Sequence, residues 1–259
     1  MLLFFSSIYS QNGVALKIEY NESITYTPKI INKRISKLYV SKNFSYYKAE
    51  SLKANKKSND EDSETIVVDD TNDDTTSEII VNFKEKKLIE RLYENLFLKK
   101  YYSVSEKMPE MKWTMVAGKK KINNYDCKKA QTTFRGRTYT VWYTEKIPIS
   151  IGPWKFSGLP GLILSAEDNE GIYKWVAKTI VYPYKSKDFN LENAIKENSK
   201  YKNITFKDFD EKRIEVINDK IKKIRARSSS RDGIKVGFSY STYQEREPIN
   251  EYRTKTNFN

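Results

Sequence analysis

Histidine is absent from the 259 residues, and cysteine occurs once, at Cys127. Those two absences exclude Ser-His-Asp and Cys-His catalysis, every histidine-containing zinc site, and any disulfide within the chain. Glycine and proline are sparse, at 9 and 7 residues, and six of those sixteen crowd into the segment 147–164. Outside the first few residues no apolar run approaches the 18 or so residues a membrane-spanning helix needs. No Asp/Glu spacing matches a calcium loop, and no Gly-Lys-Ser/Thr or GxGxxG sequence offers a phosphate cradle. No metal ligands and no cofactor are therefore expected, and these absences assign no catalytic residue.

What is present is charge and aromatic surface. The formal net charge is +13, and 19 Tyr, 12 Phe and 4 Trp make 14% of the chain aromatic. A basic balance points to acidic partners such as nucleic acid, anionic lipid or acidic glycans. The lysines are scattered, however, and no nucleic-acid-binding signature accompanies them, so no nucleic acid is expected. Aromatics with a polar edge suit a sheet packed on one side and wet on the other.

The first residues read Met1-Leu2-Leu3-Phe4-Phe5-Ser6-Ser7-Ile8-Tyr9-Ser10. An apolar run ending in small residues resembles the latter part of a secretory signal with cleavage after Ser10, and a buried first strand is the alternative. Residues 11–259 then read as one β-rich domain. Strands are expected over 14–20 and 36–47, the second with an approximate period of two at Leu38, Val40, Phe44 and Tyr46. Residues 55–78 are dominated by Lys, Ser, Asn and acids, among them Asp60, Glu61, Asp69 and Asp73; this composition predicts a disordered acidic insert. Within 84–100, Leu88, Leu92 and Leu96 have helical spacing, with a strand as the alternative. Gly118 and the three lysines after it are expected to turn the chain. Thr133 to Thr144 alternate around Arg135-Gly136-Arg137, which predicts a hairpin whose tip uses glycine's freedom at positive φ. A strand pair is expected over 159–165 and 171–181.

The C-terminal third changes character. Helices are expected over 191–199 and 208–227, the longer carrying Ile214, Ile217, Ile221 and Ile224 on one narrow stripe opposite a basic face. Such a helix can lie on a sheet or on a membrane surface. A loose tail with one strand at 234–240 follows. These elements together predict an α+β fold, a curved antiparallel sheet (a half-barrel being one form of it) with helices packed on it.

The richest segment is 147–164, IPISIGPWKFSGLPGLIL. Its prolines remove backbone donors and its glycines permit positive φ, so it specifies a tightly folded, non-helical path. Gly158, Leu159, Pro160, Gly161, Leu162 and Ile163 are the structural motif within it. The run Trp154-Lys155-Phe156-Ser157-Gly158-Leu159-Pro160-Gly161-Leu162-Ile163 resembles the signature of the GLPGLI family of Bacteroidota. The likeness extends over about 113–182, through Tyr125-Asp126-Cys127, Phe134-Arg135-Gly136-Arg137, Val141-Trp142-Tyr143-Thr144, Ile147-Pro148 and Gly152-Pro153. The resemblance implies an exported envelope protein, in the periplasm or at the outer membrane, often encoded beside TonB-dependent outer-membrane transporters, with no established catalytic residues to carry over.

The residues offer several sites. Arg135 and Arg137 can be solvated hairpin-tip residues or present guanidinium groups to a carboxylate or phosphate partner. Trp142, Trp154, Phe156 and Trp175 can form a sheet core or line an apolar concavity that takes up lipid. Cys127 would need Lys128 or Lys129 to become a thiolate nucleophile, and a packed strand cysteine is the plainer reading. Glu145, Glu167 and Asp168 are the carboxylates near the signature available for acid–base work. The expected function is a non-enzymatic binding or accessory component at the outer membrane, its partner a TonB-dependent transporter or envelope lipid. A periplasmic carrier of lipid or another hydrophobic ligand is the first alternative, and a hydrolase the second.

Overall fold

The computed structural model describes residues 14–27, 30–51, 77–94, 100–185, 189–198 and 200–228. The signal-like start, all but the last two residues of the acidic insert, and the tail with its expected strand lie outside these residues. In chain order the elements are β1 (Val14–Thr27), β2 (Ile30–Ser41), β3 (Phe44–Ser51), β4 (Ser77–Asn82), β5 (Lys87–Glu94) and β6 (Lys100–Lys107). There follow β7 (Thr114–Ile122), β8 (Tyr125–Phe134), β9 (Arg137–Thr144), β10 (Leu162–Asp168), β11 (Tyr173–Val181), α1 (Leu191–Asn198), β12 (Asn203–Thr205) and α2 (Phe206–Ser228).

The expected α+β class is corrected. Among the described residues the fold is mostly β, one sheet of twelve strands accompanied by two helices. The helical spacing of the leucines after residue 84 misled: positions i and i+4 share a face in a strand as well as in a helix. Leu88, Glu90 and Leu92 in fact point to one side of β5, with the charge of Glu90 hiding the period of two. The expected single strand over 36–47 is two strands, turned at Lys42 and Asn43, where Ser41 Oγ accepts from the Phe44 amide at 3.1 Å in place of a glycine turn. The expected turn at Gly118 is instead an irregularity inside β7, where the register against β8 shifts between Val116 and Lys119.

The strand order is β12-β6-β5-β4-β3-β2-β1-β11-β10-β9-β8-β7, antiparallel throughout except for β12 on β6. Two meanders thus run outward from the β1–β11 pair. β6 and β7 are consecutive in the chain yet ten strand spacings apart, about 48 Å in a flat sheet. Residues 108–113 join them, a link that spans at most about 25 Å. The sheet is therefore rolled until its two ends approach each other.

The inner face carries Leu16, Ile18 and Tyr20 of β1, Leu38 and Val40 of β2, Tyr47 of β3, Tyr139 and Val141 of β9, and Trp175 of β11, all buried in one cluster. Residues 145–161, between β9 and β10, cross this interior and fill it with Ile147, Ile149, Ile151, Trp154, Phe156 and Leu159. At the β6 end, Phe206 and Phe209 of α2 pack on Tyr102 and Val104. On the outer face Tyr39, Tyr46 and Ile80 are covered by Tyr184, Phe189 and the Leu191, Ala194 and Ile195 side of α1.

Candidate functional site

The aromatic residues proposed from the sequence divide between the two faces. Trp154, Phe156 and Trp175 come together inside the roll. Their ring centroids are 5.3 Å (Trp154–Phe156), 5.7 Å (Phe156–Trp175) and 6.2 Å (Trp154–Trp175) apart, and Tyr139 lies 4.9 Å from Phe156. The three side chains are buried against one another and the sheet. Trp154 has φ of 54°, a backbone region costly for a bulky residue, so the surrounding packing over-determines it. Trp142, by contrast, is half-buried on the outer face, because β9 alternates Tyr139, Val141 and Tyr143 inward with Thr140 and Trp142 outward.

The signature's backbone explains how the filling segment holds its path. Ile151 pairs with Ser157 as an isolated bridge, and Gly152 N donates to Phe156 O at 2.8 Å. Ile163 N donates to Ile151 O at 2.9 Å, and Trp113 Nε1 donates to Ser157 O at 2.8 Å. Gly158 takes φ of 98°. Gly161 lies so close to β9 that a Cβ there would sit 2.1 Å from the Thr144 carbonyl oxygen.

Both hairpin arginines are engaged within the chain. At the tip, Arg135 and Gly136 take φ of 45° and 90°, the paired positive values of a tight hairpin turn. The Arg135 guanidinium forms an ion pair with Glu106 of β6 and stacks over Phe206, 4.5 Å from its centroid. Arg137 is buried and bonds Asp168 at 2.9 Å and also Glu170; Asp168 in turn accepts from the Tyr173 amide at 2.6 Å.

Two further buried polar clusters sit in the roll, and composition gave no sign of them. Lys155, fully buried, reaches across to Glu90 of β5 at 2.9 Å and Glu106 of β6 at 2.8 Å. Its position between Trp154 and Phe156 in an apolar, proline-rich run was the sequence signal available. Burial pushes the Glu106 carboxyl up, but Lys155 and Arg135 more than offset that, and its pKa is lowered. In the second cluster Tyr47 Oη donates to Glu22 Oε2 at 2.6 Å and accepts from Trp175 Nε1 at 3.1 Å, while Arg34 stands 3.8 Å from Glu22. The first cluster ties the filling segment to the adjacent strands β5 and β6, and the second joins the consecutive strands β3, β2, β1 and β11.

Reactive groups are correspondingly restrained. Cys127 is buried, and burial pushes its thiol up to about 11. Of the three carboxylates near the signature, Glu145 pairs with Lys128 at 2.7 Å and Glu167 with Lys174 at 3.0 Å, both at the surface. Asp168 is committed to Arg137. Among the described residues no group of three or more His, Cys, Asp or Glu side chains is placed to hold a metal ion. Outside, Trp142 lies under two ammonium groups, Lys120 at 5.6 Å and Lys129 at 5.9 Å from its ring centroid. It forms part of a groove of about 410 Å³ with Thr140, Glu167, Glu170 and Lys174. No described helix is long and apolar enough to cross a membrane.

The geometry defines the class first: a rolled, mostly antiparallel sheet whose interior is occupied by its own chain. A family model described as "Protein of unknown function (Porph_ging)" matches residues 135–165, from the hairpin tip through the filling segment into β10. No curated protein matches the sequence. Two solved structures of PNGF-II are similar. The one in space group C2 has a TM-score of 0.48 at 18% identity, covering 74% of this chain and 31% of that one. The one in space group P21 has a TM-score of 0.44 at 20% identity, covering 69% and 30%. The chain thus spans about a third of the length of the PNGF-II chains.

Proposed function

We propose that this chain is a non-enzymatic exported protein of the GLPGLI type, acting as a binding or accessory component at the outer membrane. Its partner on this reading is a TonB-dependent transporter, as the resemblance around residues 154–163 implies. The observation that carries the proposal is that the matched segment is spent on filling the roll. Lys155, Trp154 and Phe156 are buried among the chain's own groups, and the inward carboxylates face groups of the chain itself, Glu22 those of β2 and β3 and Glu90 and Glu106 the filling segment's Lys155. Such a molecule works through its outer surface. A lipid carrier built on Trp154, Phe156 and Trp175 would need those rings to line open space, and here they stack on each other.

The test is purification of the tagged protein from its native envelope after mild cross-linking, with mass spectrometry of proteins and lipids. Reproducible recovery of one outer-membrane transporter supports the accessory reading. Stoichiometric lipid without a protein partner overturns it in favour of a carrier, and recovery from the cytoplasm alone refutes export.

A further inference from the structure

We infer that β7 is a docking edge for an extended acidic segment of a partner protein. β7 closes one end of the strand order and pairs only with β8 among the described residues. Its outer side therefore presents a row of peptide N–H and C=O groups without a strand partner, the template on which an added strand forms main-chain bonds. Of its nine residues, only Ile122 is buried. The opposite end of the sheet differs: β12 is three residues long and runs directly into α2, whose Phe206 and Phe209 pack on β6.

The lysine run selects the occupant. Lys119, Lys120 and Lys121 are all exposed, and among the described residues none of them forms an ion pair. Lys119 and Lys121 point to one face of the edge and Lys120 to the other, so an added strand with successive acids meets a cation on both faces. Lys120 is also part of the outer groove beside Trp142. Two copies of this chain joined along the same stretch would set lysine against lysine, an arrangement that disfavours pairing. An apolar strand would leave the ammonium groups without partners. An acidic strand satisfies both the backbone row and the charge. This inference rests on reading the chain as a binding component and not on its export.

The test uses the full chain and two fluorescent heptapeptides at low ionic strength, one with three successive Glu flanked by Val and Thr, the other with Lys in place of each Glu. The acidic peptide is expected to bind at least tenfold tighter than the basic one, to weaken with added salt, and to slow hydrogen exchange of β7 amides. The triple variant Lys119→Glu, Lys120→Glu, Lys121→Glu should reverse the preference while melting with the parent, because all three side chains are exposed. Lys119→Gln with Lys121→Gln should give an intermediate affinity. Equal binding of the two peptides, unchanged exchange in β7, or a triple variant that keeps the acidic preference would each overturn the inference. So would sedimentation showing that copies of the parent pair with one another through β7. None of these results bears on where the protein resides, which the envelope purification decides separately.

Discussion

Gly161→Ala offers the sharpest check on how the filling segment is held. An added Cβ would stand 2.1 Å from the Thr144 carbonyl oxygen, 2.7 Å from its carbonyl carbon and 3.1 Å from the Glu145 Cα. Carbon and carbonyl oxygen approach only to about 3.3 Å in ordinary contacts, so the two backbones must separate by more than 1 Å. That movement cannot be taken up by a side chain, since the obstructing atoms belong to the main chain. It would disturb the Leu162–Thr144 rung that begins the β9–β10 ladder and the bond from Leu162 N to Ile147 O. Overpacking of this kind costs about 1–3 kcal/mol, and each lost hydrogen bond adds about 1 kcal/mol. The expected loss is about 3–5 kcal/mol, a drop in Tm of roughly 10 °C for a chain of this size. Gly171 supplies the control: it has φ of 70° but nothing within 4 Å of its missing Cβ, so Gly171→Ala should cost only about 1 kcal/mol. Thermal unfolding followed by far-UV circular dichroism and tryptophan fluorescence compares the two. A Gly161→Ala protein melting within about 2 °C of the parent would refute the close-approach argument.

Lys155→Ala should destabilise by about 3–5 kcal/mol, because Glu90 and Glu106 lose the ammonium they share in the interior; adding Glu90→Gln should recover part of the loss in denaturant titrations. Glu106 has a lowered pKa in the folded state, so its contribution is fully present above its unfolded value of 4.5 and is lost as pH falls through the lowered folded value. Denaturant midpoints measured between pH 6 and pH 3 should therefore fall on the acid side, less steeply in Lys155→Ala. Cys127, with its thiol near 11, should leave about one thiolate in a thousand at pH 8 and react with a disulfide reagent only on unfolding. Rapid labelling of the native protein would refute that burial.

Local chemistry was legible in the sequence, and closure was not. The hairpin at Arg135-Gly136 carries its own instruction, as do the proline- and glycine-bound path of 147–161 and the helix at Phe206–Ser228. What joins these pieces lies far apart along the chain: Arg135 finds Glu106, Lys155 finds Glu90, and Trp175 finds Tyr47 across 128 residues. No spacing rule reaches that distance. Inward charges also blurred the period of two on β2 and β5, where Arg34 and Glu90 occupy positions that a simple pattern assigns to apolar side chains. For the same reason four aromatic residues of similar promise separated into three inside and one outside.

The order of strands gives the short link between β6 and β7 an unusual place. It connects two arms, each zipped from sequence neighbours, that also meet elsewhere: along β1 and β11, through residues 145–161, through Arg135 on Glu106, through α1 on the outer face, and through β12 and α2 returning to β6. Cutting the chain within 108–113 would sever a tether and leave the interlock intact. Residues 14–107 and 114–228 are thus natural complementing halves, neither able to cover its apolar face until the other arrives. During synthesis the first arm must wait, exposed, for the second, which makes its inward face of Leu16, Ile18, Leu38 and Ile79 a surface that a holding chaperone has reason to recognise.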